Sequence, residues 1–242
     1  MERRSFETPL GEIWLWGHAE AFDGNSALVL VIQGAFAAPS LRFHDLEKVL
    51  PVCVLASTLP GHSSPRLSET SVPAFAAAYA AALAQVRRER PVVVCGESVG
   101  GLVALAMEAP AIALDPPLRT EKLWPLIPFF REQLREDPSQ LAFLWNVLGV
   151  GTDTLEPRDY RPLLSSPAHI IVGAEPLYPE RSLPNGPPSL VDEPERDLMR
   201  GSEMIRLTVA PGAGHVIPGN APALFTDAIR EALYLEATGH SP

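Results

Sequence analysis

The sequence predicts an α/β protein: one mostly parallel, twisted sheet of about eight strands, with helices on both faces and a small helical cap inserted after the sixth strand. Three observations carry this. Short β-branched runs alternate with Ala- and Leu-rich stretches, and parallel strands need such crossover segments between them. Several runs are continuously apolar instead of alternating, as strands covered on both faces are. The length, 242 residues, is enough for one large core, so residues 1–242 read as a single domain.

The elements follow in order. Phe6 to Trp16 reads as a hairpin turning near Pro9-Leu10-Gly11. Ala27 to Ile32 is a buried strand ended by Gln33-Gly34, and Val52 to Ala56 is the next, closed by Pro60-Gly61. Ala74 to Val86 is Ala-rich and predicts a helix, since alanine is the best helix former. Pro91 to Cys95 is a buried strand and Leu102 to Met107 is helical. Ala111 to Leu114, His169 to Val172 and Met204 to Val209 are further strands, and Ala221 to Leu235 is the closing helix.

Two stretches break the alternation. Residues 116–166 contain two amphipathic segments and read as the inserted cap. One is Phe129 to Arg135. The other starts at Asp137-Pro138-Ser139-Gln140, with Asp as N-cap and Pro at N1, and carries Leu141, Leu144, Trp145 and Leu148 at helical spacing. Core packing and a lid over a substrate pocket both fit this pattern, because an insertion between strands lands at the sheet edge where ligands bind. Residues 176–194 carry Pro176, Pro179, Pro184, Pro187, Pro188 and Pro194 and predict a rigidified loop.

Composition removes several function classes. Charged residues are 20% of the chain and the net charge is −10, which disfavours nucleic acid and anionic membrane surfaces as partners. No run is long enough to span a bilayer and no signal-peptide h-region follows the start, so a cytoplasmic location without membrane insertion is expected. The two cysteines, Cys53 and Cys95, sit in strand-like runs and read as small buried hydrophobes. Cys and His do not cluster at short spacing, so no metal or cofactor is expected.

The chemistry points to Gly96-Glu97-Ser98-Val99-Gly100. Ser98 follows a buried strand and precedes a helical stretch. A nucleophile on such a sharp turn needs residues without Cβ where strand and helix meet, which Gly96 and Gly100 supply. The helix N-terminus brings amide N–H groups to a developing oxyanion. The pattern alone is weak; its strand–turn–helix context strengthens it. The other reading of Ser98 is an ordinary helix N-cap.

Five markers in order resemble the α/β-hydrolase family, over residues 6–235. Gln33-Gly34-Ala35 resembles the His-Gly turn after the third strand, and Leu59-Pro60-Gly61-His62-Ser63 the turn after the fourth. Gly96 to Gly100 resembles the nucleophile elbow, Gly173-Ala174-Glu175 the acid turn, and Gly212-Ala213-Gly214-His215 the Gly-His turn. The resemblance implies Ser98 as nucleophile, His215 as base and Glu175 as acid, with Asp115 at the end of the sixth strand as the alternative acid. It implies an oxyanion hole from the amides of Ala35 and Val99. Two positions depart from the pattern: Gln33 stands where the family usually has His, and Pro176 stands where it usually has Asp, leaving Glu175 one residue early.

The other histidines fit the base role less well. His18 lies at a strand end, His44 in an early helix, His240 in the tail, His62 in the Pro-Gly-His turn, and His169 begins a strand. The expected activity is hydrolysis of a carboxylic ester or thioester of a small, moderately apolar substrate through an acyl-enzyme. Acyl transfer or C–C hydrolysis by the same triad, and a non-catalytic ligand-binding protein on this scaffold, are the alternatives. The cap aromatics Trp124, Phe129, Phe130, Phe143 and Trp145 are the basis for an apolar substrate. The oligomeric state is not encoded in any of these features.

Overall fold

The computed structural model describes residues 1–107, 109–126, 128, 131–132, 137, 140–177 and 186–238. The predicted helix from Phe129 to Arg135, with Phe129 and Phe130, falls largely outside them, as do Pro138, Ser139, Pro179, Pro184 and His240.

The eight strands are β1 (Glu2–Thr8), β2 (Gly11–Gly17), β3 (Ala27–Ile32), β4 (Val52–Ser57), β5 (Val92–Glu97), β6 (Ala111–Leu114), β7 (Ala168–Gly173) and β8 (Ile205–Ala210). They form one sheet in the order β1-β2-β4-β3-β5-β6-β7-β8. From β4 to β8 every pairing is parallel, and only the β1–β2 hairpin and its contact to β4 are antiparallel.

The continuous apolar runs are explained by coverage on both faces. Along β3, Leu28, Leu30 and Ile32 join one core while Val29 and Val31 join the other. The first core contains α2 (Val72–Val86) and α3 (Val99–Leu105); Phe75, Tyr79, Leu102 and Val103 pack there. The second is closed by the last helix, α5 (Pro222–Thr238), through Phe225 and Ile229. Ser71 caps α2 by accepting from Ala74 N at 3.2 Å, with Pro73 in the first turn, where a missing N–H costs nothing.

Among the described residues, helical segments not foreseen at these bounds include α1 (Ala19–Asp23), 3₁₀ helices at Thr120–Leu126 and Arg161–Ser165, α4 (Glu193–Arg200) and a short helix at Ile217–Asn220. The early helix expected around His44 is a 3₁₀ helix at Leu41–Lys48. Pro194, read as the end of a loop, stands in the first turn of α4, where proline is favoured.

The insertion after β6 differs from its expected helical pattern. Leu141–Phe143 is one helical turn that runs into a π turn at Leu144–Leu148. Gly149 ends it at φ 70°, and a Cβ there would stand 1.7 Å from Glu156 O, so glycine is required. The buried face is Phe143, Leu144, Val147 and Leu148, whereas Leu141 and Trp145 are exposed. The π turn shifts the register, so the 3.6-residue count from Leu141 places Trp145 on the wrong face. The buried four join the α2–α3 core, and Arg158 lies over the Trp145 ring at 5.0 Å.

Candidate active site

Ser98 sits between the last residue of β5 and the first of α3, at φ 52° and ψ −122°. A non-glycine residue holds such a conformation only where its surroundings enforce it, at a cost of about 1–3 kcal/mol. The enforcing contacts are visible. A Cβ on Gly96 would stand 2.0 Å from Gly100 O, and one on Gly100 would stand 2.2 Å from Ile32 O. Ser98 N donates to Leu114 O at 2.9 Å, and Gly101 N donates back to Ser98 O at 2.9 Å. The Ser98 side chain makes no capping hydrogen bond to α3, unlike that of an ordinary N-cap serine.

His215 is held from two sides. Its amide donates to Pro187 O at 2.8 Å, and its ring Nδ1 lies 2.7 Å from Asp115 Oδ2. Asp115 is fully buried at the end of β6, at φ 47°. It also accepts from Ser189 Oγ, from Leu190 N at 2.8 Å and from Gly173 N at 3.3 Å. These donors offset the desolvation of a buried carboxylate. An ionised carboxylate only accepts, so Nδ1 donates, and Nε2 of a neutral His215 ring is the nitrogen left to accept a proton.

The carboxylate on His215 Nδ1 is that of Asp115, the alternative acid, while Glu175, the expected acid, stands in the turn after β7. The Glu175 amide donates to Ala213 O at 3.4 Å and its carbonyl accepts from Ser189 N at 2.8 Å, so its backbone serves the turn after β7. Pro176 pairs in parallel with Ser189, which folds residues 186–191 back across the strand ends. That fold-back brings Ser189 and Leu190 onto Asp115 and Pro187 onto His215. Sequence reading identified a rigid loop there but not its role as a clamp; the Pro187-Pro188-Ser189 run was the available signal. Gly173 admits the histidine loop, because a Cβ on it would stand 2.4 Å from Gly214 O.

The third segment is the turn after β3. A Cβ on Gly34 would stand 3.2 Å from Ser98 Cβ, so this turn packs directly on the elbow. Ala35 follows, and Phe36 is at φ 59°, which bends the chain away. Val99 begins α3, so its N–H has no acceptor one turn back. Gln33, the departure from the usual His, is buried; its backbone N–H donates to Ser57 O at 2.9 Å, while its side-chain Nε2 is buried without a partner among the described residues.

Two charged or polar neighbours were missed as site residues. Glu97, next to Ser98, meets Arg42 Nη2 at 2.6 Å from each carboxylate oxygen. Burial raises the Glu97 carboxyl above the usual range, and Arg42 and His215 oppose that shift. The His62 ring lies 4.5 Å from Phe143 and 5.2 Å from Phe36, joining the segment inserted after β6 to the Gly34–Phe36 turn. Burial pushes His62 down to about 4. Gln140, also in the inserted segment, donates through Nε2 to Gly61 O.

The chain matches the model of the Alpha/beta hydrolase family over residues 15–228. It belongs to that family. The fold recurs in an esterase from Thermogutta terrifontis with malate bound, at 21% identity and a TM-score of 0.63, covering 97% of this chain and 98% of that one. It recurs in naproxen esterase (carboxylesterase NP) from Bacillus subtilis, at 16% identity and a TM-score of 0.60, covering 95% and 92%. Proline iminopeptidase from Mycobacterium smegmatis is similar at 12% identity and a TM-score of 0.64, covering 98% and 99%. At these identities the likeness is one of fold. No curated protein sequence matches the chain significantly. Among the described residues of this α/β-hydrolase, no helix is long and apolar enough to cross a membrane.

Proposed function

We propose that this α/β-hydrolase is a serine hydrolase that cleaves a carboxylic ester or thioester through an acyl-enzyme. Ser98 is the nucleophile, His215 the base and Asp115 the acid. One observation carries the reading: a histidine whose Nδ1 is bonded to a buried carboxylate, in a fold where an uncapped serine holds a strained elbow.

In the first step Ser98 Oγ attacks the acyl carbon as its proton passes to His215 Nε2. The carbonyl oxygen takes the negative charge and lies against the amides of Val99 and Ala35, with the N-terminal end of α3 behind it. Asp115 holds the ring and stabilises the imidazolium. The C–O or C–S bond then breaks, and Nε2–H protonates the leaving alkoxide or thiolate. Water deprotonated by the same nitrogen attacks the acyl-enzyme and releases the acid and Ser98. No metal or cofactor takes part in these steps.

Residues 116–166 act as a cap over this edge, and the substrate is small and moderately apolar. Phe143 from the cap, Phe36 and His62 gather beside the Gly34 turn, and His62 is uncharged at neutral pH because burial pushes it down to about 4. Two of the similar structures named above are esterases, which fits an ester in the site.

A fluorophosphonate probe tests the proposal. Native protein is expected to take up one label per chain, located on Ser98 by peptide mass spectrometry. Ser98→Ala and heat-denatured protein are expected to take up none. An unlabelled native protein, or a label on another residue, contradicts it.

A further inference from the structure

His18, His44 and Glu47 lie in none of the segments that build the site around Ser98. His18 precedes α1, while His44 and Glu47 are on the 3₁₀ helix after β3. The fold brings one ligand atom from each within 4.8 Å of the other two. Glu47 Oε1 lies 3.7 Å from His44 Nδ1, and Glu47 Oε2 lies 3.7 Å from His18 Nε2. Ligand atoms on a tetrahedral Zn²⁺ stand roughly 3.4 Å apart, so the two Glu47–His separations are near that spacing and the third, at most 4.8 Å, closes by up to about 1.4 Å.

The state of His44 sets this cluster apart from an ordinary polar contact. Its side chain is 9% exposed, and both ring nitrogens are buried without a hydrogen-bond partner. Leaving a buried polar atom unpaired is destabilising, and a bound cation would remove that cost for the ligating nitrogen. Glu47 is already oriented: its Oε1 accepts from Val54 N at 2.8 Å, the kind of outer contact that fixes a metal ligand. His18 is 55% exposed and its ring makes no capping bond to α1, so it leaves an entry path and room for water ligands.

We infer that His18, His44 and Glu47 bind one borderline divalent cation of the Zn²⁺ class, through two imidazole nitrogens and one carboxylate oxygen, with water completing the shell. Imidazole with one carboxylate suits Zn²⁺, Co²⁺, Ni²⁺ or Cu²⁺ better than Mg²⁺ or Ca²⁺, which take all-oxygen sites. The cation would tie the turn before α1 to the 3₁₀ helix that also carries Arg42. The sequence hides this site, because its ligands come from either side of β3 and not from a short-spaced motif.

The test is titration of metal-stripped protein with Zn²⁺ by calorimetry, with Co²⁺ absorption in the visible as a second readout. Wild type is expected to bind one Zn²⁺ per chain, with a rise in Tm that follows saturation. His18→Ala, a surface change, and Glu47→Gln, which keeps an acceptor for Val54 N, are each expected to weaken binding at least about tenfold and to remove the Tm rise. Ser98→Ala is expected to bind as wild type does. The inference is overturned if wild type shows no saturable binding, or if His18→Ala binds with the wild-type affinity.

Discussion

Two neighbouring strands are each followed by an acidic residue, and the chain frames the two in different ways. Asp115 directly follows β6; it is fully buried and accepts from Ser189 Oγ, Leu190 N, Gly173 N and His215. The turn after β7 carries Glu175, whose backbone bonds Ala213 and Ser189. Under the proposed triad, the carboxylate on His215 is set by where hydroxyl and main-chain donors converge on Asp115, and a turn motif does not locate that convergence. Residues 186–191 supply that convergence, and they lie far along the chain from Asp115.

The largest expected effect separates the two ends directly. Asp115→Asn is expected to lower kcat/KM on a p-nitrophenyl ester by about 10⁴-fold, because the ring loses its tautomer and its counter-charge. Glu175→Gln is expected to stay near wild type. If Glu175→Gln is the slow variant, the assignment reverses.

Next is Gly173→Ala, whose new Cβ would press on Gly214 O. It is expected to cost about 1–3 kcal/mol of stability in denaturant titration. Displacing the His215 loop is expected to cost about 10²-fold in kcat as well. Ser189→Ala removes one donor from Asp115 and is expected to lower stability by about 1–3 kcal/mol, while Leu190 N and Gly173 N keep the carboxylate in place. An Asp115→Asn/Ser189→Ala double mutant should then be non-additive, since both changes act on one network.

The smallest effect is a pH slope at Glu97. Its carboxyl is raised in the folded state, so the native state binds more protons than the unfolded state across that window. The stability this contributes is complete below the ordinary Glu value and is lost as pH rises through the raised one. Tm measured against pH is therefore expected to fall across that window in wild type. The fall should be shallower in Glu97→Gln, and identical slopes would show that burial of Glu97 is not felt.

The parts that were legible in the sequence were encoded locally. Strands β3 and β5 announce themselves because a run covered on both faces has no polar residues to interrupt it. Ser98 announces itself because its turn demands glycine at 96 and 100. Asp115 resisted assignment because nothing within its own segment shows that Ser189 and Leu190 will fold back onto it. The segment inserted after β6 resisted for another reason: a π turn at Leu144–Leu148 defeats a count based on 3.6 residues per turn. The start of α4 fell inside the loop expected over 176–194, because Pro194 is a breaker inside a helix but favoured in a first turn, and sequence alone did not mark where the helix began. The His18–His44–Glu47 cluster shows the same limit, since its members meet only once the elements flanking β3 are in place.

The measurement closest to the central claim is proton NMR of the His215 ring. The Nδ1 proton between His215 and Asp115 is expected to give a far-downfield resonance that Glu175→Gln leaves in place and Asp115→Asn abolishes. A resonance that survives Asp115→Asn and disappears in Glu175→Gln would contradict the account.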